Sequence, residues 1–128
     1  SLGDIGSRVL SGCAKLMHVD LSGCASLRCI GDGMFHACFA LEAMLLPPGL
    51  ELIGNGALSD CHKFAHMSLS ACFSLRRIGD EAFRACFTLE SLLFPPGLEA
   101  IGNASFSRCA KLVHVDLSAC TSIRKIED

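Results

Sequence analysis

The chain contains no tryptophan and no tyrosine, and only 19% of its 128 residues are charged. Tryptophan and tyrosine anchor many tight interfaces and carbohydrate sites, so the chain lacks the side chains most typical of such sites. The chain has 11 basic and 13 acidic residues, which give a net charge of −2. Its overall electrostatic field therefore does not favour binding to nucleic acid or to anionic membranes. The longest segment without a charged residue, 64–75, has twelve residues, fewer than the roughly 20 that a membrane-spanning helix needs.

Motifs that carry catalysis are also missing. There is no G-x-S-x-G nucleophile motif, no phosphate-binding loop and no H-E-x-x-H zinc motif. Cys61 directly precedes His62, but successive side chains tend to face apart, and Cys61 belongs to a set of cysteines that we expect to be buried. We therefore expect no enzymatic activity and no cofactor.

What the sequence does contain is an internal repeat. The dipeptide Ile-Gly begins at residues 5, 30, 53, 78 and 101, and Ile126 continues the series, with steps of 25, 23, 25, 23 and 25 residues. This spacing predicts one array in which long and short units, or rungs, alternate: 5–29, 30–52, 53–77, 78–100 and 101–125. Neither end carries a polar capping unit, so we expect a piece of a longer array or end-to-end self-association through uncapped terminal rungs.

A second apolar pattern recurs inside each unit. A leucine or phenylalanine is followed three and five residues later by apolar side chains, as in Leu16, Val19 and Leu21. The last three positions alternate apolar and variable residues, which predicts a short strand with one buried face. In the short units a Pro-Pro-Gly sequence follows this strand and excludes a helix there. The glycine after each repeated isoleucine is predicted to provide a backbone conformation that other residues resist.

These residues resemble leucine-rich repeats, specifically the BspA-like subclass known from Treponema pallidum. The short units match its order of Ile-Gly-x-x-x-Phe, then Cys-x-x-Leu, then an apolar residue and proline. The long units read Asp-Leu-Ser-x-Cys-x-Ser-Leu, which is similar to the cysteine-containing repeats found after F-boxes. The resemblance implies a fold and leaves the partner open, because one fold hosts many functions.

The repeat and the resemblance together predict a leucine-rich-repeat solenoid. About five stacked rungs of 23 or 25 residues share one core, with a parallel β-sheet on the concave face and short strands, turns or 3-10 segments on the other faces. The convex side of this core is expected to be filled by Leu10, Phe35, Leu58, Phe83 and Phe106.

Nine cysteines recur mostly at two repeat positions, which we interpret as sites for small buried hydrophobes. The first position holds Cys13, Cys38, Cys61, Cys86 and Cys109, the second holds Cys24, Cys72 and Cys120, and Cys29 is extra. The alternatives are a zinc site, for which no C-x-x-C pair exists, and disulfides between rungs. Many free thiols favour a reducing compartment such as the cytoplasm, whereas the BspA-like resemblance favours the cell surface.

Charge alternates in sign at one position of successive rungs, which read Arg28, Glu51, Arg76, Glu99 and Arg124. In a stacked sheet these residues become lateral neighbours, where opposite charges favour pairing. We interpret this charge ladder as a structural device that sets the register of the rungs. The alternative is a docking strip for a charged partner.

The outward residues of the predicted strands are the candidate recognition surface. They form two columns, one of His18, Ala43, His66, Ser91 and His114 and one of Asp20, Leu45, Ser68, Leu93 and Asp116. All of these except Ala43 are predicted to contact a partner. The histidines recur only at every second rung, about 9–10 Å apart, so we do not expect them to share a metal ion. A solvated polar column without a partner is the alternative interpretation.

The sequence thus favours a non-catalytic protein–protein interaction module whose rigid concave face binds another protein. Two other hypotheses remain open: a cell-surface adhesin or antigen that binds host proteins, and an architectural subunit or spacer in a larger assembly. None of the three requires nucleic acid, membrane insertion, a metal or a cofactor.

Overall fold

The computed structural model describes residues 4–5, 9–112, 117, 120 and 125–126. Over these residues the chain winds as a solenoid of parallel strands joined by tight turns, so the predicted solenoid is confirmed. This part of the chain contains no helix that is long and apolar enough to cross a membrane. The rung boundaries given above remain a prediction.

Two kinds of short strand alternate along the chain. Two-residue strands carry the repeated isoleucines: β1 (Asp4–Ile5), β3 (Cys29–Ile30), β5 (Leu52–Ile53), β7 (Arg77–Ile78), β9 (Ala100–Ile101) and β10 (Lys125–Ile126). Three-residue strands cover the second apolar pattern: β2 (His18–Asp20), β4 (Ala43–Leu45), β6 (His66–Ser68) and β8 (Ser91–Leu93).

The two-residue strands form one continuous parallel sheet in the order β1-β3-β5-β7-β9-β10, here called the Ile–Gly sheet. Its register places Ile30 opposite Ile53, Ile53 opposite Ile78, and Ile78 opposite Ile101. The hydrogen bonds continue one residue beyond the strands, where the amide of Gly54 donates to the carbonyl of Ile30 at 2.8 Å. The repeated isoleucines therefore form one column across the sheet, one isoleucine per rung, as the repeat predicts.

The glycines of this sheet have a different role from the predicted one. The described glycines with positive φ are Gly12, Gly33 and Gly56, none of which follows a repeated isoleucine, so the conformational explanation is wrong for Gly54 and Gly79. A Cβ added to Gly54 would instead lie 2.8 Å from the carbonyl oxygen of Ile30, well inside contact distance. Glycine is required here because the backbones of successive rungs approach too closely for any side chain.

The three-residue strands are less regular, because they pair two by two. β2 pairs with β4 and β6 pairs with β8, but no strand pairing joins β4 to β6 in the described structure. The break follows the lengths of the arms that lead from each strand to the next isoleucine. Segments 21–29 and 69–77 have nine residues, and segments 46–52 and 94–100 have seven. Since the Ile–Gly sheet stays in register, we attribute the break on the opposite side to this difference in arm length.

The core lies between the two sets of strands. Phe35, Leu58 and Phe83 are completely buried, and Leu10 and Phe106 are half-buried and pack against the core, which confirms their predicted role in filling it. Phe83 and Phe106 stack with their ring centroids 5.6 Å apart.

The cysteines confirm the prediction of buried thiols. No disulfide joins the cysteines, all nine of which lie within the described residues; six of them are buried, and Cys13, Cys24 and Cys29 are half-buried. The thiols of four first-column cysteines donate to a carbonyl of the preceding rung, as Cys38 does to Leu10 at 3.2 Å; the other three are Cys61, Cys86 and Cys109. Burial raises the pKa of Cys61 to about 12, so this thiol stays protonated and unreactive at neutral pH.

Candidate partner-binding surface

The outward side of β2, β4, β6 and β8 is called the strand face. The middle residue of each strand points into the core, and the flanking residues point outward. The exposed residues are His18, Asp20, Ala43, Leu45, His66, Ser68, Ser91 and Leu93. Val19 is half-buried and its three counterparts, Met44, Met67 and Leu92, are buried.

Polar side chains on this face hold one another in place. Nδ1 of His66 lies 2.8 Å from the hydroxyl of Ser91, its neighbour on β8. Asp20 accepts hydrogen bonds from the amide and the hydroxyl of Ser22, at 2.9 and 2.5 Å, and these bonds lower the pKa of its carboxyl group. Asp20 is therefore a fixed negative charge at neutral pH.

A groove of about 340 Å³ lies where the strand pairing is interrupted. Its walls are Leu45 and Leu93, which are 59% and 57% exposed, and Ser68 lies between them in the same column. Met44 and Met67 line the groove from the buried side. Because serine is much smaller than leucine, the column forms a notch between two apolar walls.

The same interruption leaves polar backbone groups beside the groove. Alternate residues of a parallel strand bond to opposite neighbours. On β4, Ala43 and Leu45 bond to β2, so the amide and carbonyl of Met44 are directed toward β6. By the same alternation, His66 and Ser68 of β6 direct theirs toward β4. Within the described residues no backbone hydrogen bond joins these groups across the gap, so the groove combines apolar walls with hydrogen-bonding capacity.

Comparison with known proteins agrees with the solenoid fold. The sequence model of the BspA-type leucine-rich repeat region matches residues 3–128 in six copies. The chain belongs to the BspA-type leucine-rich repeat family. No curated protein sequence matches it.

Two solved structures are similar to this BspA-type chain. A leucine-rich repeat protein from T. pallidum is 27% identical, with a TM-score of 0.81 over 96% of this chain. A leucine-rich repeat protein from Bacteroides ovatus is 21% identical, with a TM-score of 0.72 over 94% of this chain, and shares the fold. The chain spans 61% of the length of the T. pallidum structure and 38% of the B. ovatus structure.

The charge ladder of this BspA-type chain occurs as two separate ion pairs. Nε of Arg28 lies 3.8 Å from the carboxylate of Glu51, and Nε of Arg76 lies 3.6 Å from that of Glu99. Arg124 lies outside the described residues, as do His114 and Asp116 of the predicted strand face.

Each of these arginines also closes a turn. The guanidinium of Arg28 donates to the carbonyl of Ala25 at 2.8 Å, and that of Arg76 donates to the carbonyl of Phe73 at 3.0 Å. The guanidinium of Arg28 also packs over the glycine of the Pro-Pro-Gly sequence, since a Cβ added to Gly49 would lie 2.6 Å from Nη1 of Arg28. These contacts tie each arginine to its own turn, and the structural interpretation of the ladder remains a prediction.

A second groove, of about 510 Å³, was not predicted from the sequence. It contains Ser59, His36 and Asp60 in an arrangement that resembles a catalytic triad. Nδ1 of His36 lies 2.6 Å from the hydroxyl of Ser59 and 3.7 Å from Asp60, so one nitrogen faces both groups. A triad needs the two nitrogens to face different partners. Ser59 also donates its proton to the carbonyl of Gly56 at 3.1 Å, so its geometry does not support nucleophilic catalysis.

The rim of that groove is a ladder of side-chain to backbone bonds. Oδ1 of Asp32, Asn55 and Asp80 each accepts, at 2.8 Å, the backbone amide of the equivalent residue in the next rung. The signal was present in the sequence, because aspartate and asparagine alternate directly after the four Ile-Gly steps that begin at 30, 53, 78 and 101. Through these hydrogen bonds the side chains extend the hydrogen-bonding pattern of the Ile–Gly sheet. Asp32, Asn55 and Asp80 therefore have a structural role.

Proposed function

We propose that the chain is a non-catalytic protein–protein interaction module that binds its partner through the strand face. The observation that carries the proposal is the groove between Leu45 and Leu93. Exposed apolar surfaces bordered by polar groups often mark protein contacts. Membership of the leucine-rich repeat family supports this function, because proteins of this fold commonly bind other proteins.

The mechanism is preorganisation. Each strand is tied into the stack, so its outward side chains are displayed on a rigid support and lose little conformational entropy on binding. His66 is additionally held by Ser91, and Asp20 by Ser22. An apolar side chain of the partner would fill the notch above Ser68 while polar groups bond to the neighbouring backbone. The predicted contact residues are His18, Asp20, Leu45, His66, Ser68, Ser91, Leu93, His114 and Asp116.

The test is a peptide-display selection against the immobilised protein, followed by binding measurements on single variants. We expect enriched peptides to carry an apolar residue and to lose at least about ten-fold in affinity for Leu93→Asp, because a buried charge would replace an apolar wall. His66→Glu should weaken the same peptides. Phe73→Asp is the matched control, since Phe73 is also exposed, at 65%, but lies outside the strand face.

Enriched peptides that bind wild type, Leu93→Asp and His66→Glu equally would overturn the proposal. Urea unfolding of each variant separates lost binding from lost folding. The adhesin, the architectural subunit and end-to-end self-association remain predictions, and each would be compatible with binding through this face.

A further inference from the structure

A second surface, separate from the strand face, is built from a row of equivalent β-turns. Each turn begins at a first-column cysteine, whose carbonyl accepts the amide of the residue three positions later, as for Leu41 on Cys38 at 3.1 Å and Phe64 on Cys61 at 3.3 Å. In each unit the two central residues of the turn come between the first-column cysteine and the start of the second apolar pattern. We call these residues the turn edge: 14–15, 39–40, 62–63, 87–88 and 110–111.

The first central positions carry an exposed aromatic stack. The ring of His62 lies between those of Phe39 and Phe87, with centroid distances of 5.0 and 4.6 Å and interplanar angles of 26° and 19°. Phe39 and Phe87 are 47% and 42% exposed. The centroid distances match the ~4.8 Å spacing of paired strands, so the stack shows that the turns follow one another at the spacing of the rungs.

The second central positions carry a lysine at every second rung: Lys15, Lys63 and Lys111, with Ala40 and Thr88 between them. All three lysines are exposed, and no ion pair engages them in the described part of the chain. Two rungs correspond to about 9.6 Å. The turn edge therefore presents free cations at a regular interval along a row of aromatic rings.

The turn edge is positive although the chain as a whole is negative. Segments 12–16, 37–41, 60–64, 85–89 and 108–112 contain four cationic side chains and one anionic one. The anion is Asp60, which lies 3.7 Å from Nδ1 of His36 and 3.8 Å from Nε2 of His62. The next carboxylates, Glu42 and Glu90, precede β4 and β8 and form no ion pair with the lysines among the described residues.

We infer that the turn edge docks an acidic, extended polypeptide segment with a carboxylate at every third residue. A polyproline II helix has three residues per turn and a rise of ~3.1 Å, which places every third side chain on one side at intervals of about 9.3 Å. That interval matches the lysine spacing. A β-strand turns residues i and i+3 to opposite sides, and one nucleic-acid strand carries a phosphate every ~3.4 Å of axis, so neither has the same period. This site is additional to the strand face and does not depend on it.

The test compares two labelled peptides of identical composition by fluorescence anisotropy. One has four repeats of Glu-Pro-Pro, and its isomer has the four glutamates in succession. We expect the spaced peptide to bind more tightly at low ionic strength and to dissociate as salt approaches about 0.5 M, because exposed charges are screened. Each single change, such as Lys63→Ala, should weaken binding about two- to five-fold, and the triple change of Lys15, Lys63 and Lys111 to alanine at least about ten-fold.

Two control variants test whether the spaced peptide binds at the turn edge. Arg77→Ala removes an exposed cation of the Ile–Gly sheet and should leave the affinity of the spaced peptide unchanged. Leu93→Asp, which tests the strand face, should also leave it unchanged, so this inference and the proposed function can fail separately. Urea unfolding confirms that the triple variant is folded.

Four results would overturn the inference. They are absence of binding at low ionic strength, equal affinity for the two isomers, unchanged affinity of the triple variant, and tighter binding of a single-stranded oligonucleotide than of the spaced peptide. The last result would identify the turn edge as a phosphate-binding surface instead.

Discussion

The two sets of strands arise from the same repeat but differ in how continuously they pair. The Ile–Gly sheet runs without interruption through six strands, whereas the strand face is divided between β4 and β6. In the Ile–Gly sheet the backbones of neighbouring rungs leave no room for a Cβ at Gly54 or Gly79. On the strand face every outward position carries a side chain, and the identities alternate from rung to rung. The Ile–Gly sheet therefore keeps the rungs at a constant spacing, whereas the interruption in strand pairing occurs on the strand face.

This division of roles has a functional consequence. The side that keeps register is constrained where the backbones of neighbouring rungs meet at Gly54, Gly79 and Gly102. The interrupted side has a notch, apolar walls and backbone groups directed into a gap. We attribute the groove, like the break in pairing at which it lies, to the unequal lengths of the arms.

The largest effect should come from breaking the Ile–Gly sheet. In Gly79→Ala the new Cβ would lie 2.5 Å from Oδ1 and 2.7 Å from the amide nitrogen of Asn55. Since backbone cannot move aside as a side chain end can, we expect a loss of about 3 kcal/mol in the free energy of unfolding. Urea denaturation followed by circular dichroism measures it.

Gly23→Ala is the matched control, because a Cβ at Gly23 would meet nothing within 4 Å. Its stability should stay within about 0.5 kcal/mol of wild type. Equal losses for the two variants would show that close backbone approach is not what requires glycine in this sheet.

An intermediate effect should come from the thiols packed between the two faces. Burial raises the pKa of Cys61 to about 12, from 9.0, and also raises the pKa of Cys38 and Cys72. The unfolded chain therefore ionises first, and the stability from these protonated thiols is complete below about pH 9 and is lost as the pH rises toward 12. We expect the Cys61 thiol to lower the free energy of unfolding by about 0.8 kcal/mol at about pH 9.5, measured as a lower urea midpoint than at pH 7.

Cys61→Ala tests whether the loss of stability at high pH comes from this thiol. The variant should be less stable at pH 7, because it loses a buried sulfur and its hydrogen bond to the carbonyl of Phe35, but should lose less stability between the two pH values. An identical pH dependence in the variant would contradict the assignment to Cys61.

The smallest effect should come from the strand face itself. His66→Ala removes only an exposed hydrogen bond to Ser91, so we expect the free energy of unfolding to change by less than about 0.5 kcal/mol. The urea midpoint provides the measurement. A loss above about 1.5 kcal/mol would mean that this face, too, maintains the stack, and the contrast between the two faces would fail.

The sequence predicted the stack, the core aromatics and the buried thiols, because each depends on a residue type that recurs at a fixed interval. Phe35 and Cys61 could be placed in the core from spacing alone. The alternation of inward and outward residues on the strands also follows from the period of two.

The break between β4 and β6 could not be predicted in this way, because it depends on how arms of unequal length fit over one core. The close approach at Gly54 depends on the backbone of another rung, which no single unit reveals. The stack of Phe39, His62 and Phe87 could have been predicted from the sequence, since all three residues directly follow first-column cysteines.

The pairing of β2 with β4 and of β6 with β8 makes two successive units the natural building block of the molecule. Insertion of one unit would place two arms of equal length side by side and reverse the order of pairing beyond it. Insertion of 48 residues would preserve the order of pairing. Tandem duplication is therefore expected to enlarge such a gene by whole doublets, and recombination between single units should be selected against.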